Sequence, residues 1–424
     1  MSKKSRHIRK KKIRLFSLGL VVIAFILAAS YAVNGFGNNE QNPVNNPAEE
    51  PAGRDEAVSV PEPSEPEAEP TVTVNIKATG DIMFHPSQID GAYNSATNTY
   101  DFHNSFKAVK GILQEADLAI ANFEGTTAGN EVYAYQGYPL FNAPDEVLDA
   151  IKDSGIDVLS TVNNHCLDTR KAGVIRTVQE INKRGMDTVG TYVEKPETRV
   201  LMKDVKGIKI AFLAYTEMVN GLESTMSPED LYAMVNIVND EKISEDIAYA
   251  KDKNADIIIA CMHWGDEYSR TQASRQEALA DKLFIQGVDI ILGSHPHVIQ
   301  PAEMLKYEGK IKFVAYSMGN FLSNQRIETL EPFGMTEDES KYTEDGVIID
   351  INIEKNSKTG ETSVKNVSYT PLWVYKGKTE DGVTEHVVYP IMEYIESNEL
   401  SEKSKARMQR SLSDTAKQMQ SLGM

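Results

Sequence analysis

Six short polar clusters, each directly after an apolar run, contain four of the eight histidines of this chain together with Asp, Glu and Asn side chains that could bind a metal. Apolar runs of this length are typical of central strands in a sheet covered on both faces. Ligands of such folds bind outside the carboxyl ends of the strands, so the clusters predict one shared pocket with a metal as its simplest occupant. The clusters are Asp81, Glu124, Asn163-Asn164-His165, His263, His295 with His297, and Asn320.

His295 and His297 are the strongest single signal, because two imidazoles one residue apart directly follow an apolar run. Asp81 and His263 also have plainer interpretations, as a turn cap and as a polar residue with satisfied hydrogen bonds. Glu124 is harder to explain in that way, since a carboxylate after a buried strand is costly unless it is paired or metal-bound. Carboxylate, amide and imidazole ligands without thiolate favour one or two divalent ions, of Mn, Zn, Fe or Mg.

His165 is a candidate general acid beside the candidate ligand Asn164. A metal pair would provide a bridging hydroxide and a clamp on a phosphoryl or acyl oxygen, and His165 would protonate the leaving group. Asp168 follows three residues later and would orient the imidazole. An equally good interpretation makes Asp168 the N-cap of the helix that follows.

Three further residues are candidates for contacting a substrate. Trp264 is adjacent to His263 and would stack on a substrate, although packing over the site is as good an interpretation. Arg270 lies close enough in sequence to the same cluster to meet an anion, and Asn320 follows the last apolar run.

Strand-like and helix-like segments alternate from Val72 onwards, which indicates α/β layers. The last strands lack intervening helices, so part of the sheet is predicted to be mixed. We interpret residues 72–375 as one domain and residues 376–424 as a C-terminal helical extension. The predicted strands are 72–79, 117–123, 156–162, 208–215, 256–262, 288–292, 311–317 and 347–353, and the predicted helices are 104–115, 145–153, 170–184, 240–253 and 272–286.

The N-terminal segment predicts a membrane anchor. Residues 1–14 contain eight bases and no acid, and residues 15–33 are uncharged and mostly apolar. As a helix, residues 15–33 would be about 30 Å long, enough to cross a bilayer. The basic flank predicts a cytoplasmic N-terminus and an extracellular main domain. A cleaved signal peptide is the alternative, with the small residues at 28–32 as its cleavage region.

Residues 34–71 are predicted to be a disordered linker, because the segment is rich in proline and acids and poor in apolar side chains. The formal charge of the chain is −18, and the eight bases of residues 1–14 leave −26 for the remainder. Nucleic acid is therefore not expected as a partner, because its affinity for proteins depends on basic side chains. The two cysteines do not define a disulfide framework.

The residues of the clusters and their order along the chain resemble those of the CapA family. The matching stretches are GDIMF (80–84), NFEG (122–125), NNHCLD (163–168), HWGDEY (263–268), GSHPHVIQP (293–301) and YSMGNFL (316–322). The resemblance implies the fold of the calcineurin-like metallophosphoesterases, a four-layer α-β-β-α sandwich with a two-metal site.

The resemblance also implies a role for each candidate ligand. Asp81 and His297 would bind one metal, and Asn164, His263 and His295 would bind the second. Glu124 would stand where the phosphoesterases have a bridging aspartate, and His165 would match their catalytic histidine. Met83 departs from the pattern, because the phosphoesterases have a histidine at that position. One metal is therefore as compatible with the sequence as two.

Three functions are compatible with these features. The family resemblance and the anchor favour a surface protein of capsule synthesis or export in a Gram-positive cell. Its expected partners are membrane-embedded synthesis or export subunits and an anionic polymer such as poly-γ-glutamate. The ligand set and His165 favour, as an alternative, an extracellular metal-dependent hydrolase of phosphoester or amide bonds. The third candidate is a wall-binding module with a vestigial site.

Overall fold

The computed structural model describes residues 70–422. The predicted basic tail 1–14, the predicted anchor 15–33 and nearly all of the predicted linker 34–71 lie outside the described residues. Within residues 70–422, no helix combines the length and the apolar character that crossing a bilayer requires.

Residues 70–422 form two main sheets, a small hairpin and the helices around them. The strands are β1 Thr71–Ile82, β2 Tyr93–Asn94, β3 Thr99–Tyr100, β4 Leu118–Phe123, β5 Val158–Ser160, β6 Asp187–Val189, β7 Leu201–Val205, β8 Ile208–Thr216, β9 Ile257–His263, β10 Ile290–Ser294, β11 Ala302–Tyr307, β12 Lys310–Ala315, β13 Asn320–Leu322, β14 Asp345–Asn356, β15 Thr362–Lys378 and β16 Thr384–Pro390. The α-helices are α1 Pro86–Ala92, α2 Lys110–Gln114, α3 Glu146–Asp153, α4 Arg170–Lys183, α5 Pro228–Met234, α6 Asp240–Asp252, α7 Ser274–Gln286, α8 Ile327–Leu330, α9 Glu337–Ser340, α10 Ile391–Tyr394 and α11 Glu402–Gln418.

The first sheet has a parallel half and an antiparallel half, and the second sheet has a parallel centre with antiparallel edge strands. The first sheet has the order β16-β15-β14-β1-β4-β5-β6, with β13 also paired to β1. Strands β1, β4, β5 and β6 are parallel, whereas β14, β15 and β16 are joined by antiparallel pairing. The second sheet has the order β11-β12-β10-β9-β8-β7, with β7 and β11 antiparallel to their neighbours. The predicted mixture of parallel and antiparallel strands is therefore confirmed.

The two sheets pack face to face, and helices cover their outer faces. On β4, Leu118 and Ile120 lie in the core between the sheets, whereas Ala119 and Ala121 face the helices. This alternation follows from the two-residue period of a strand. The inter-sheet core includes Phe212 from the second sheet. The predicted α/β layering is confirmed, in the order helix, sheet, sheet, helix.

The apolar stripes of the helices form the two outer layers. Val147 and Ile151 of α3 pack on the first sheet, and Ile243 and Ile247 of α6 pack on the second. These pairs are four residues apart and lie on one face of each helix.

The interpretation of residues 376–424 as a helical extension was wrong for its first part. Strand β15 continues to Lys378, and β16 forms the edge of the first sheet. Val387 and Val388 are both buried, but they belong to different apolar clusters, so β16 is covered on both faces. Helices α10 and α11 follow, within the predicted extension. Helix α5 lies between the predicted strand 208–215 and the predicted helix 240–253.

A buried carboxylate, Glu344, joins α11 to the rest of the fold. Glu344 is fully buried, and Arg407 of α11 donates hydrogen bonds to it. The Nη2 atoms of Arg326 and Arg410 lie 3.4 and 3.8 Å from its oxygens, and the indole of Trp373 donates to it at 2.9 Å. One carboxylate thus compensates several cations in a region that excludes water.

We expect Glu344→Gln to lower the free energy of unfolding by about 3–5 kcal/mol, because the arginines lose a shared buried counter-charge. Urea denaturation followed by circular dichroism measures this loss. Glu354→Gln on β14 is the matched control, since Glu354 pairs with the exposed Lys365 and its removal is expected to cost less than about 1 kcal/mol. Equal losses in the two variants would contradict the proposed anchoring.

Candidate metal centre

The carboxyl ends of the parallel strands converge at one place between the two sheets. Asp81 lies on β1, in register with Asn122 of β4 and Asn320 of β13. His263 ends β9, in register with Ser294 of β10. The approach of β13 to β1 requires a glycine, because a Cβ at Gly80 would lie 1.8 Å from the carbonyl oxygen of Gly319.

Asp81, Glu124 and His297 form the first group of candidate ligands. Their ligand atoms lie within 4.8 Å of one another, and all three side chains are buried. His297 Nδ1 lies 3.3 Å from Asp81 Oδ2, and His297 Nε2 lies 3.7 Å from Glu124 Oε1. Burial lowers the pKa of His297, but the carboxylates of Glu124 and Asp81 outweigh it and raise this pKa to about 10. A cation is therefore strongly favoured between these carboxylates.

Glu124, His263 and His295 form the second group, again with ligand atoms within 4.8 Å of one another. His263 Nε2 lies 3.9 Å from Glu124 Oε1 and 2.9 Å from Asn164 Oδ1. Burial lowers the pKa of His263 well below its usual value and lowers that of His295 to about 4. Both rings are therefore neutral near pH 7, as metal ligands must be.

Glu124 belongs to both groups and is the candidate ligand that most requires a nearby cation. Both of its oxygens are buried without a hydrogen-bond partner among the described residues, as is Nδ1 of His295. Burial raises the pKa of Glu124 well above its usual value. Unsatisfied buried groups of this kind are rare and costly. The donor set thus fits a divalent ion in either group, or a pair of ions that share Glu124.

Neighbouring polar groups hold the candidate ligands in place. Asn320 Oδ1 lies 3.2 Å from His297 Nδ1, and Ser294 Oγ lies 2.9 Å from His263 Nδ1. Asn122 donates to Asp81 Oδ1 at 2.8 Å. Such partners fix the orientation of imidazole and carboxylate ligands.

Backbone strain accompanies the two histidines of the GSHPH stretch. His295 and His297 both have positive φ, at 97° and 58°. Such conformations are uncommon for side-chain-bearing residues and persist where surrounding structure enforces them, often at functional sites. The strain lets two residues separated by one proline join different ligand groups.

His165 and Asp168 form a buried pair close to the centre. His165 Nδ1 lies 2.8 Å from Asp168 Oδ2, and the amide of Phe141 donates to the same oxygen at 2.5 Å. The ring of Phe141 packs edge-on against that of His165, with centroids 4.7 Å apart. His165 Nε2 is 3.5 Å from the amide nitrogen of Asn220. The pair is arranged as a general acid and its orienting carboxylate.

Asp168 contacts His165 through Oδ2 and does not cap α4. The residue that precedes α4 is Thr169, and no side chain caps that helix end. Burial raises the pKa of Asp168, although its hydrogen bond to His165 opposes the rise. Of the two interpretations of Asp168, the structure therefore favours orientation of His165.

Met83 and His85 occupy the region where the sequence departs from the phosphoesterase pattern. Met83 is buried and belongs to neither ligand group. His85 Nδ1 lies 3.2 Å from Gln88 Oε1 and accepts the amide proton of Asn324 at 3.3 Å. Burial lowers the pKa of His85 to about 3. His85 thus acts as a hydrogen-bonded neighbour of the centre and does not replace the missing histidine.

Two of the three predicted substrate contacts have other partners in the structure. Trp264 is fully buried among the residues between the second sheet and its helices, and its indole donates to the carbonyl of Tyr316 at 2.9 Å. Arg270 donates to the carbonyl of Asp414 at 2.7 Å, and its guanidinium lies 3.9 Å from the ring centroid of Tyr342. It therefore holds α11 and does not face the centre.

The third, Asn320, does lie at the centre, but as a partner of a ligand. It is fully buried and holds His297 on one side and the carbonyl of Thr343 on the other. The candidate ligands Asp81, Glu124, Asn164, His263, His295 and His297 are brought together, and their binding of metal stays a prediction.

Sequence reasoning missed several residues that build the site. Asn122 and Ser294 contact the candidate ligands, but an Asn inside an apolar strand and a Ser at its end are weak signals. Tyr268 packs its ring 6.1 Å from that of His297, and Asn220 reaches His165 from the distant loop before α5. Asn122 had one usable signal, since it directly precedes Phe123 and Glu124 in the quoted NFEG stretch.

Comparison with known proteins identifies related sequences. Residues 75–325 match the family described as bacterial capsule synthesis protein PGA_cap. Capsule biosynthesis protein CapA of Bacillus anthracis is 29% identical over 307 residues, which cover 69% of this chain and 71% of that protein. PGA biosynthesis protein CapA of Bacillus subtilis (strain 168) is 28% identical over 307 residues, covering 70% of each chain. Among solved structures, the calcineurin-like phosphoesterase YfkN from Bacillus subtilis aligns with a TM-score of 0.39 at 17% identity, covering 82% of this chain and 99% of that chain.

We expect variants of the candidate ligands to differ in the number of bound ions that they lose. After incubation with Mn²⁺ or Zn²⁺ and removal of free metal, His263→Ala and His297→Ala should each empty one group. Glu124→Ala should weaken both groups, because its carboxylate belongs to each. Mass spectrometry of metal content on the purified protein measures the ratio of metal to protein.

His103→Ala is the control for this measurement, since His103 is exposed and pairs only with Asp101. Its metal content should equal that of the wild type. A folded wild-type protein that retains neither Mn²⁺ nor Zn²⁺ would contradict the prediction that the two ligand groups bind metal.

Proposed function

The chain belongs to the PGA_cap family of bacterial capsule synthesis proteins, and from this we propose that it acts in the synthesis or export of a poly-γ-glutamate or related anionic polymer. One observation carries the proposal: the family match at residues 75–325 includes every candidate ligand from Asp81 to His297, together with Asn320. The names of the Bacillus relatives, which refer to capsule and PGA biosynthesis, support the same polymer class.

We propose that the protein works at the outer face of the cell membrane of a Gram-positive cell. Residues 1–14 and 15–33 support a cytoplasmic N-terminus followed by a single membrane-spanning helix. The acidic, proline-rich residues 34–71 would then space the folded domain from the membrane. The proposed partners are membrane-embedded subunits that make or export the polymer, and the polymer itself.

The candidate metal centre supplies a specific chemical role within this proposal. Asp81, Glu124 and His297 would hold one ion, and Glu124, Asn164, His263 and His295 would hold another. A bound divalent ion would polarise an amide or phosphoryl oxygen and lower the pKa of a bound water. His165 would hold the proton destined for the leaving group at Nε2, because Asp168 engages Nδ1.

The second candidate function is hydrolysis of amide or phosphoester bonds in a surface polymer. The buried pair of His165 and Asp168 favours it, since a carboxylate that engages Nδ1 orients the opposite ring nitrogen for proton transfer. Hydrolysis and a role in synthesis are compatible, because cleavage would release or shorten a polymer made by other subunits.

We expect the folded domain and its N-terminal segment to be required together for polymer production. In a poly-γ-glutamate-producing bacterium that lacks its own family member, full-length protein should restore cell-associated polymer, measured as glutamate after acid hydrolysis. A chain without residues 1–33, and full-length His263→Ala, should restore little. Normal polymer levels without any family member would contradict the proposal.

We expect His165→Asn to reduce the turnover number of any hydrolysis by roughly 10²–10⁴-fold, with metal content and KM little changed, because only proton transfer is lost. The assay uses metal-loaded full-length protein with bis-p-nitrophenyl phosphate and with γ-linked glutamate oligomers. His103→Asn is the matched control. A metal-loaded wild type that cleaves neither substrate class would eliminate the hydrolase alternative and leave the synthesis role standing.

A further inference from the structure

A cavity of about 370 Å³ lies between β15 and the first turns of α11, away from the candidate ligands. Its volume falls in the range of ligand sites, roughly 300–1,000 Å³. We name it the basic pocket, because Arg326, Lys376, Lys403 and Arg407 line it and Glu328 is its only acidic lining residue among the described residues.

The two arginines of the basic pocket are already neutralised. Arg407 donates to Glu328 at 2.6 Å and also to the buried Glu344 behind the pocket. Arg326 Nε lies 3.1 Å from Glu328 Oε2, and its Nη2 lies 3.4 Å from Glu344. These bonds outweigh burial and lower the pKa of Glu328 to about 2, so it remains ionised. The two carboxylates therefore balance the two arginines.

Neither lysine of the basic pocket has an ion-pair partner among the described residues. Lys376 Nζ donates only to neutral oxygens, to Asn324 Oδ1 at 2.8 Å and to Ser87 Oγ at 3.5 Å. Lys403 is exposed, and within residues 70–422 it forms no ion pair. Burial and the charge of Arg326 lower the pKa of Lys376, which indicates an ammonium held at some cost. An incoming anion would relieve that cost.

The start of α11 adds to the positive potential. This helix has 17 residues, and its N-cap Ser401 lines the same cavity. The N-terminus of a helix carries partial positive charge and attracts anions. The pocket thus combines two unpaired ammonium groups with a helix N-terminus, in a chain whose overall charge is −18.

The larger cavity of the molecule has the opposite character. It measures about 780 Å³, and its charged lining includes six acids against three bases. Those residues are Glu194, Glu197, Glu229, Asp230, Glu245, Asp246, Lys171, Lys195 and Arg199. A polyanion would be repelled there, so the smaller basic pocket is the better place to bind one.

Contacting residues connect the basic pocket to the metal centre. Lys376 donates to the side chain of Asn324, whose backbone amide donates to His85 Nδ1. The ring of His85 lies 5.1 Å from that of Phe141, which packs in turn on His165. A polymer bound in the pocket is therefore connected to His165, the proposed proton donor, through a short series of contacting residues.

We propose that the basic pocket binds carboxylate groups of an extended anionic chain, with Lys376 and Lys403 as the contacting cations. The positive charge of the pocket follows from the structure, whereas the choice of carboxylate over other anions rests on the proposed function. Neither lysine belongs to the metal centre, so polymer binding here does not require a bound ion.

The test is fluorescence anisotropy with a labelled γ-linked glutamate decamer and full-length protein, in the presence of a chelator. We expect the wild type to bind and its affinity to fall as salt is raised, because the attraction is between charges. Lys403→Gln should weaken binding several-fold, and the double variant Lys376→Gln, Lys403→Gln should weaken it by roughly tenfold or more, since charge-assisted hydrogen bonds are lost.

Lys310→Gln is the matched control, because Lys310 is an exposed lysine on β12 of the second sheet. Lys403→Gln keeps the test valid if the double variant is unstable, since Lys403 is exposed. Wild-type affinity in both pocket variants, or equal loss in Lys310→Gln, would overturn the proposal. Polyglycerol phosphate is the competing polyanion. If it displaces the labelled decamer at a much lower concentration of charged groups than unlabelled decamer requires, the assignment to carboxylates is overturned.

Failure of the pocket and failure of the proposed function give different results. If the double variant binds the decamer normally and the wild type restores polymer in cells, only the pocket proposal is rejected. A decamer that binds the wild type but not the double variant supports the pocket even where the wild type restores no polymer.

Discussion

The buried carboxylate of Glu124 is the constraint on which the arrangement of the site depends. Burying a carboxylate without hydrogen bonds costs free energy, so the carboxylate requires positive charge beside it. His297 and His263 approach it from two directions, and each belongs to a separate ligand group. A cation in either group would compensate the same oxygen atoms, which explains why one acidic residue can serve two sites.

The fold meets this constraint by bringing together the carboxyl ends of the parallel strands of two mixed sheets. Asp81 and Glu124 come from the first sheet, and His263 and His295 come from the second. Each ligand stands at the end of a strand whose interior is fixed by the apolar core, so the ligands lie on rigid elements. The close approach at Gly80 and the positive φ at His295 and His297 are local departures from regular structure that this convergence requires.

The sequence was sufficient to predict which side chains converge, because chain order and sheet geometry agree. Apolar runs followed by polar residues mark strand ends, and parallel strands bring those ends together. The burial of Trp264 away from His263 has an equally simple reason. Adjacent residues of an extended segment point to opposite faces, so the side that holds His263 cannot also hold Trp264. Strand β16 and the partners Asn220 and Arg270 depend on tertiary contacts between distant segments, which no local pattern encodes.

Under the proposed function, an acidic protein must bind an anionic polymer against long-range repulsion. Salt screens exposed charges beyond about 8–10 Å, so the net charge of −18 acts weakly on a polymer already in contact. Local positive charge in sites that exclude water then determines where the polymer binds. Divalent cations would provide it at Glu124, and unpaired lysines provide it in the basic pocket. Because Glu328 and Glu344 already neutralise Arg326 and Arg407, the arginines serve the fold and the lysines Lys376 and Lys403 remain for the ligand. This division lets the same small region anchor α11 and bind an anion without either role weakening the other.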